Sequence, residues 1–403
     1  MNVLLISPCG LPVPAVKGGA VLTLIESIII QNEKEKKMNL TVVSSYDSDA
    51  VNKSKKYKNT KFIFIKEPKL CNSLDCLYEF CYSKLLKKNH KILKRYTWKL
   101  FALKKIKKIL KKYKFDKVIF ENSGYLLNTL KNKKICKIYE DKLYYHLHND
   151  IPNNIYVDGL KKCKLLLISN YLSKKIMLKC GDDILNRILI LRNGFDCEKF
   201  NQNISDIEKE KIKNKLGIDK NQKVILFTGR INKEKGIKEL TEAFQMLNTN
   251  KIKLLVVGAN NFGAKQFSPF EEQMKETFNK LEKKVIFTGF IPYDEMWKYY
   301  KIADLAVLPS LWEEPAGLTM LEAVAAGVPL ITTRTGGIPE YLEEEQVIFI
   351  DRDDEIVIKI KDCIVDYFNN EEKYKLRAKF ASETIFKKYN EKIYYEKFIK
   401  YIK

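Results

Sequence analysis

The feature that most constrains this chain is an alternation that runs, stops and starts again. "NVLLIS" is a short apolar run of the kind that forms a buried strand; "GGAVLTLIESIII" follows with helical spacing, and "NLTVVSS" is a second strand. The rhythm continues through "KVIFEN", "KLYYHLHND", "KLLLISN" and "ILILRNG" to a turn at Asn193-Gly194, after which the sequence is polar to about Lys220. It then restarts with "KVILFTGR", the helical "GIKELTEAFQML", "IKLLVVGAN", "KVIFTGF", "ADLAVLPS", "PLITT" and "VIFI". Strands alternating with helices build parallel sheets through crossovers. The expectation is an α/β chain of two doubly wound, Rossmann-like domains. Ligands of such sheets bind outside the carboxyl ends of the strands, so the two crevices are expected to face each other across a cleft.

The length agrees, since 403 residues are too many for one ordinary core. The predicted division is 1–200, 201–370, and a helical, amphipathic segment 371–403 packing back on the first domain. Hydrophobic residues at 45% and charged residues at 31% exclude a disordered chain. The start "VLLIS" is too short for a signal core, and Glu26 interrupts "VLTLIESIII", so neither a signal peptide nor a membrane span is read and a cytoplasmic location is expected. Nine cysteines include no C-x-x-C pair and lie in apolar contexts, as reduced, packed thiols do. The balance of 73 basic to 50 acidic residues, a net charge of +23, favours anionic partners. No zinc-finger, recognition-helix or aromatic RNA-binding pattern accompanies it, so nucleic acid is not expected among them.

Two stretches of the second half carry chemistry. In "FTGRINKEKG", Gly229-Arg230 stands at a strand end and Lys235-Gly236 at a helix start, so a guanidinium, an ammonium and helix N-terminal amides converge as a diphosphate requires. In "LWEEPAGLTMLEAVAAGVPL", Glu314 and Glu322 enclose a sharp turn, Pro315-Ala316-Gly317-Leu318, at the head of a short helix. A carboxylate beside a diphosphate is unfavourable, so these two are better suited to accept hydrogen bonds from hydroxyls. Sugars supply hydroxyls.

"GRINKEKG", "ADLAVLPSLWEEPAGLTMLEAVAAGVPLITTRTGGIPE" and "LRNGFD", in that spacing, resemble the family 4 retaining glycosyltransferases of the GT-B fold, of the bacterial surface-polysaccharide type. The resemblance spans nearly the whole chain. It implies that Arg230 and Lys235 hold the donor diphosphate, that Glu322 binds the nucleotide ribose, and that Glu314 contacts donor-sugar hydroxyls. The amides of Ala316 to Thr319 would serve the sugar and the phosphate. "PVPAVKGGA" is similar to the family's glycine loop, in which Gly18 and Gly19 let backbone approach the donor phosphates. Phe290 and Ile291 would lie beside the base. The family also places a histidine close to the reacting carbon; in "YYHLHND" His148 is favoured over His146 for it.

The implied reaction moves a hexose-type sugar from a nucleoside diphosphate, UDP by family frequency, to a hydroxyl of a saccharide or lipid-linked acceptor, with configuration retained. A nucleotide-sugar epimerase or phosphorylase of GT-B shape explains the Glu314 to Glu322 spacing less well. Ala316 departs from the aromatic residue most relatives carry there, which blurs the identity of the sugar. No cofactor and no metal are expected: Asp47-Ser48-Asp49 and Asp351-Arg352-Asp353 read as turn or N-cap aspartates, and the H-x-H pair lacks a third ligand nearby. Residues 83–114 hold 14 Lys or Arg and no acidic residue, with Ile92, Tyr96, Leu100, Leu103, Ile106 and Leu110 at helical steps. That pattern predicts an amphipathic basic surface for docking on an anionic membrane.

Overall fold

The computed structural model describes the chain apart from residues 9, 72, 74, 76–94, 152–153 and 260–267. Two compact units emerge. One comprises Met1–Ile168, Leu172–Leu191 and Tyr395–Lys403; the other comprises Ser169–Tyr171 and Arg192–Tyr394.

The first unit is built on a seven-stranded sheet in the order β3-β2-β1-β4-β5-β6-β7. Its strands are β1 (Asn2–Ile6), β2 (Asn39–Ser45), β3 (Thr60–Ile65), β4 (Lys117–Glu121), β5 (Leu143–Leu147), β6 (Lys164–Leu167) and β7 (Ile188–Ile190). Every pairing is parallel. A parallel sheet is covered on both faces, which is why β1 reads as an unbroken apolar run and Val3, Leu4, Leu5 and Ile6 are all solvent-free. The order reverses between β1 and β4, the switch point of a doubly wound sheet. Glu26, which interrupts the apolar run of the helix Ala20–Glu35, is buried and partnered: it accepts from Ala15 N at 2.8 Å and Tyr57 Oη at 2.5 Å and pairs with Lys53 at 2.7 Å.

The basic stretch of the sequence enters the described residues at the helix Tyr96–Lys112, and Ile92 lies outside them. Its buried face is Trp98, Ala102, Leu103, Ile106 and Leu110. Tyr96 and Leu100, expected on that face, are 44% and 49% exposed instead. A four-residue step from Trp98 to Leu110 sets the stripe, and Tyr96 and Leu100 fall outside its arc.

The second unit carries a six-stranded sheet, order β10-β9-β8-β11-β12-β13, again wholly parallel. The strands are β8 (Lys223–Thr228), β9 (Ile252–Val257), β10 (Val285–Gly289), β11 (Leu305–Leu308), β12 (Leu330–Thr333) and β13 (Ile348–Ile350). Here the switch point lies between β8 and β11.

Two boundaries fall elsewhere than the composition suggests. Arg192–Phe200 belongs with the second unit, because Asn193 N donates to Tyr341 Oη at 3.0 Å and Phe200 packs edge-on against Tyr293 and Tyr300. The stretch read as a polar linker also contains two helices, Cys197–Phe200 and Asp206–Lys215. The C-terminal segment divides. The helix Glu371–Tyr389 buries Tyr374, Ala378, Ala381, Ile385 and Tyr389 and packs on the helix Leu318–Ala325 of the second unit. Only Tyr395–Lys403 joins the first unit, where Tyr395 Oη donates to Asn32 Oδ1 at 2.8 Å and Tyr401 Oη to Ile190 O at 3.2 Å.

Candidate active site

In the second unit the candidate residues sit on the carboxyl rim of the sheet, after β8, its neighbour β11, and β10 two places away. Gly229 and Arg230 follow β8, Phe290 and Ile291 follow β10, and the segment from Glu314 to Glu322 follows β11. Lys235 ends a single 3-10 turn, Lys233–Lys235, that leads into the helix Ile237–Met246. Its ammonium forms an ion pair with the Glu314 carboxylate, whose Oε1 also accepts from Ser310 Oγ at 2.8 Å. Glu314 is 8% exposed and the Lys235 side chain 22%, so this is a partly buried pair, screened less than a surface bridge. Arg230 is not drawn into it. Its side chain is 48% exposed and lies 3.7 Å from Glu234. Phe290 is likewise 42% exposed at its rim position.

The turn between the two glutamates is held from behind. Gly337 N donates to Glu314 O at 2.6 Å, and a Cβ on Gly336 would stand 2.2 Å from that same carbonyl, so only glycine fits. Gly317 caps the helix Leu318–Ala325 with φ 113°, a conformation that side chains avoid. The first N–H groups of a helix have no partner within it, so this turn presents Leu318 and Thr319 amides at the rim. Pro315 and Ala316 are buried.

Glu322 faces inward. Tyr300 Oη lies 3.0 Å from its Oε2, 2.9 Å from Thr228 Oγ1 and 3.1 Å from Thr319 O. Burial pushes the Glu322 carboxyl up to about 8 against the opposing hydrogen bonds of Tyr300 and Tyr293 and the charge of Lys199. A phenol has one proton for three neighbouring oxygens, so a protonated Glu322 can donate in its turn. Tyr293 and Tyr300 are functional candidates that motif spacing does not disclose, since they come from the helix Tyr293–Lys301, while Thr228 and Ser310 stand inside the motifs but only the structure shows their contacts.

In the first unit Gly18 and Gly19 follow β1, with φ of 72° and 108°, and Gly19 caps the helix Ala20–Glu35. His146 and His148 lie on β5 and just past it, and both rings meet Glu121 at the end of β4. Burial raises the Glu121 carboxyl, but attraction to His146 and hydrogen bonds with both histidines override it and bring it to about 2. Burial, with repulsion from His146, lowers His148 to about 4 despite the carboxylate. The reading that the H-x-H pair lacks a third ligand is corrected here: ligand atoms of Glu121, His146 and His148 lie within 4.8 Å of one another. Sequence reading missed Glu121, although a carboxylate closing the apolar run "KVIFE" was its signal. His90 lies outside the described residues.

Both D-x-D strings bond locally. Asp47 caps the helix Ser48–Ser54 by accepting from Asp49 N and Ala50 N, and Asp353 accepts from Glu355 N at 3.1 Å and pairs with Lys359. Among the described residues Cys71, Cys163, Cys180 and Cys197 are free and buried, and no helix is long and apolar enough to cross a membrane.

The chain is similar to known proteins. The profile of the family "Glycosyl transferases group 1" matches residues 208–384. The uncharacterized glycosyltransferase MJ1607 of Methanocaldococcus jannaschii is 29% identical over 195 residues, 47% of either chain. The lipopolysaccharide 1,2-N-acetylglucosaminetransferase of Salmonella typhimurium is 30% identical over 210 residues, 50% of this chain and 51% of that one. The chain thus spans about half the length of these curated relatives. Among solved structures, Anabaena HepE in complex with UDP and glucose superposes with a TM-score of 0.72 at 16% identity, covering 98% of each chain. Two parallel-sheet units of this order, matched over their length by such a structure, give the chain the GT-B fold, and residues 208–384 of its second unit carry the profile of the group 1 glycosyl transferases.

Proposed function

We propose that the chain transfers a sugar from a nucleoside diphosphate, UDP in the first instance, to a hydroxyl of a saccharide or lipid-linked acceptor, with retention of configuration. The observation that carries this reading is the partly buried pairing of Lys235 with Glu314 beside the switch point of the second sheet. It sets a cation and a hydroxyl-binding carboxylate at the head of two helices, Ile237–Met246 and Leu318–Ala325. In the proposed mechanism Lys235, Arg230 and the helix N-termini stabilise the departing diphosphate as its charge develops, without a metal. Glu314 holds the sugar, Glu322 the ribose and His148 a hydroxyl near the reacting carbon. The acceptor attacks from the face the diphosphate leaves, and a phosphate oxygen takes its proton.

UDP is favoured because HepE is described with UDP and glucose, and a saccharide acceptor because the Salmonella relative is a lipopolysaccharide N-acetylglucosaminetransferase. The lysine face of the helix Tyr96–Lys112 supports a further expectation, reversible docking on anionic membrane, in which each lysine contributes about 1 kcal/mol.

The test of the reading is incubation with a panel of nucleotide sugars, followed by mass spectrometry for nucleoside diphosphate release, with and without EDTA. Release from one donor, undiminished by EDTA and lost in Lys235→Ala, is expected. Failure to bind or turn over any donor would overturn it.

A further inference from the structure

The end of β4 grips the end of β5 at two points. Strand register sets Glu121 beside His146, and His148, two residues further on, shares its face. Glu121 Oε2 lies 3.2 Å from His146 Nδ1 and 3.2 Å from His148 Nε2, and the two rings are 4.0 Å apart between centroids. The next residue, Asn122, has φ 38° and accepts on Oδ1 from the main-chain N–H of His148 at 2.9 Å and of Asn149 at 3.1 Å. Two consecutive residues therefore fix both the backbone and the ring of His148. Glu121 is wholly enclosed and His148 is 5% exposed, so the carboxylate is held by the two rings and the histidine keeps a small exposed edge.

An ionised carboxylate only accepts hydrogen bonds, so the ring nitrogen turned toward it must carry the proton. For His148 that nitrogen is Nε2. Nδ1 is left as the other nitrogen, buried and with no hydrogen-bond partner among the described residues. We infer that Glu121 is a positioning residue that locks His148 in its Nε2–H tautomer, so that Nδ1 presents a lone pair to a sugar hydroxyl of the substrate. The inference rests on the placement of His148 beside the sugar proposed above. The hydrogen bond made by one ring nitrogen decides which nitrogen is free to work, and here a carboxylate on the neighbouring strand makes it.

The same three side chains offer ligand atoms to a metal, but the 3.2 Å spacings are already those of hydrogen bonds between ring N–H groups and a carboxylate. The experiment separates the two. In the full chain labelled with ¹⁵N-histidine, with signals assigned by His90→Ala and His148→Ala, His148 is expected to show the neutral Nε2–H pattern at pH 7. An Nδ1–H or doubly protonated ring, or stoichiometric Zn²⁺ that survives dialysis and displaces the His146 and His148 signals, would overturn the inference. Glu121→Gln keeps the shape and removes the charge. It is expected to mix the tautomers and lower kcat roughly 10- to 100-fold, the loss of one charge-assisted hydrogen bond, with UDP affinity by calorimetry unchanged. Should that variant not fold, the wild-type spectrum still decides. If His148→Ala retains wild-type kcat, the placement of His148 at the sugar fails. If His148→Ala is inactive while Glu121→Gln keeps both tautomer and kcat, the role of Glu121 alone fails.

Discussion

Each unit encloses one glutamate at the rim of its sheet, and the two behave in opposite ways. Glu121 and Glu322 are both buried, at 0% and 6% exposure, and burial pushes both carboxyls up. In the first unit the neighbours are imidazoles, which can carry positive charge, and Glu121 ends at about 2. In the second they are the phenols of Tyr300 and Tyr293, which offer hydrogen bonds but no charge near neutral pH, the charge of Lys199 is the smallest influence, and Glu322 ends at about 8. Desolvation by itself decides nothing until the partner is known. An ionised Glu121 is suited to ordering a ring, whereas a neutral Glu322 can donate as well as accept, as a ribose diol asks.

The largest effect is expected from Glu121→Leu. Two buried ring N–H groups lose their acceptor, at about 1–3 kcal/mol each, so urea unfolding should show a loss of about 2–6 kcal/mol. A loss below 1 kcal/mol would mean that the carboxylate and the imidazoles are not coupled.

The second prediction contrasts the pH responses. Glu322 has its folded pKa raised from 4.5 to about 8, so its contribution is full below pH 4.5 and lost as pH rises through 8, by about 1.4 kcal/mol per pH unit across the window. Glu121 and His148 have theirs lowered, so their contribution is lost as pH falls, through 6.5 to about 4 for His148 and 4.5 to about 2 for Glu121. Hydrogen exchange at pH 5, 6.5 and 8.5 should therefore find the second unit loosening toward alkali and the first toward acid. The same slope in both units would break the comparison.

Next in size are effects on binding and turnover. Glu322→Ala should weaken UDP binding by up to about tenfold, since a neutral hydrogen bond contributes about 0.5–1.5 kcal/mol, while Glu314→Ala should leave UDP affinity nearly intact and lower kcat tenfold or more, since a hydrogen bond to a charged group contributes about 1.5–3 kcal/mol. Equal effects of both on UDP would merge the two roles.

The smallest change is expected for Glu322→Gln. Glutamine resembles the protonated acid, so stability at pH 6 should move by less than about 1 kcal/mol and the alkaline loss should vanish. Persistence of that loss would place its origin elsewhere, and differential scanning calorimetry across pH reads both.

Both doubly wound sheets were legible in the sequence because strand and helix periodicities are local, and parallel strands buried on both faces leave unbroken apolar runs such as "VLLI" and "VILF". Lys235 and Glu314 were legible as candidates from motif spacing, although their contact was not. The boundaries at Arg192 and Tyr395 were obscured, because composition sees polarity while the division follows which aromatic side chains pack together: Phe200 with Tyr300, and Tyr395 with Asn32. Tyr96 and Leu100 were misjudged for a related reason, since a helix has several apolar rows and only its neighbours select one.

What the sequence by itself determined is the order of strands and helices, the turns that only glycine can make, and the residue types at each rim. What only the tertiary structure decided is the state of those residues. Glu121 and Glu322 are the same side chain, each closing or following an apolar run, and nothing local distinguishes an ionised one from a neutral one. Strand register brings His146 and His148 to the first, and the helix Tyr293–Lys301 brings Tyr300 to the second from 22 residues away. Protonation depends on distances between groups far apart in the chain, and those distances exist only once the sheet has formed.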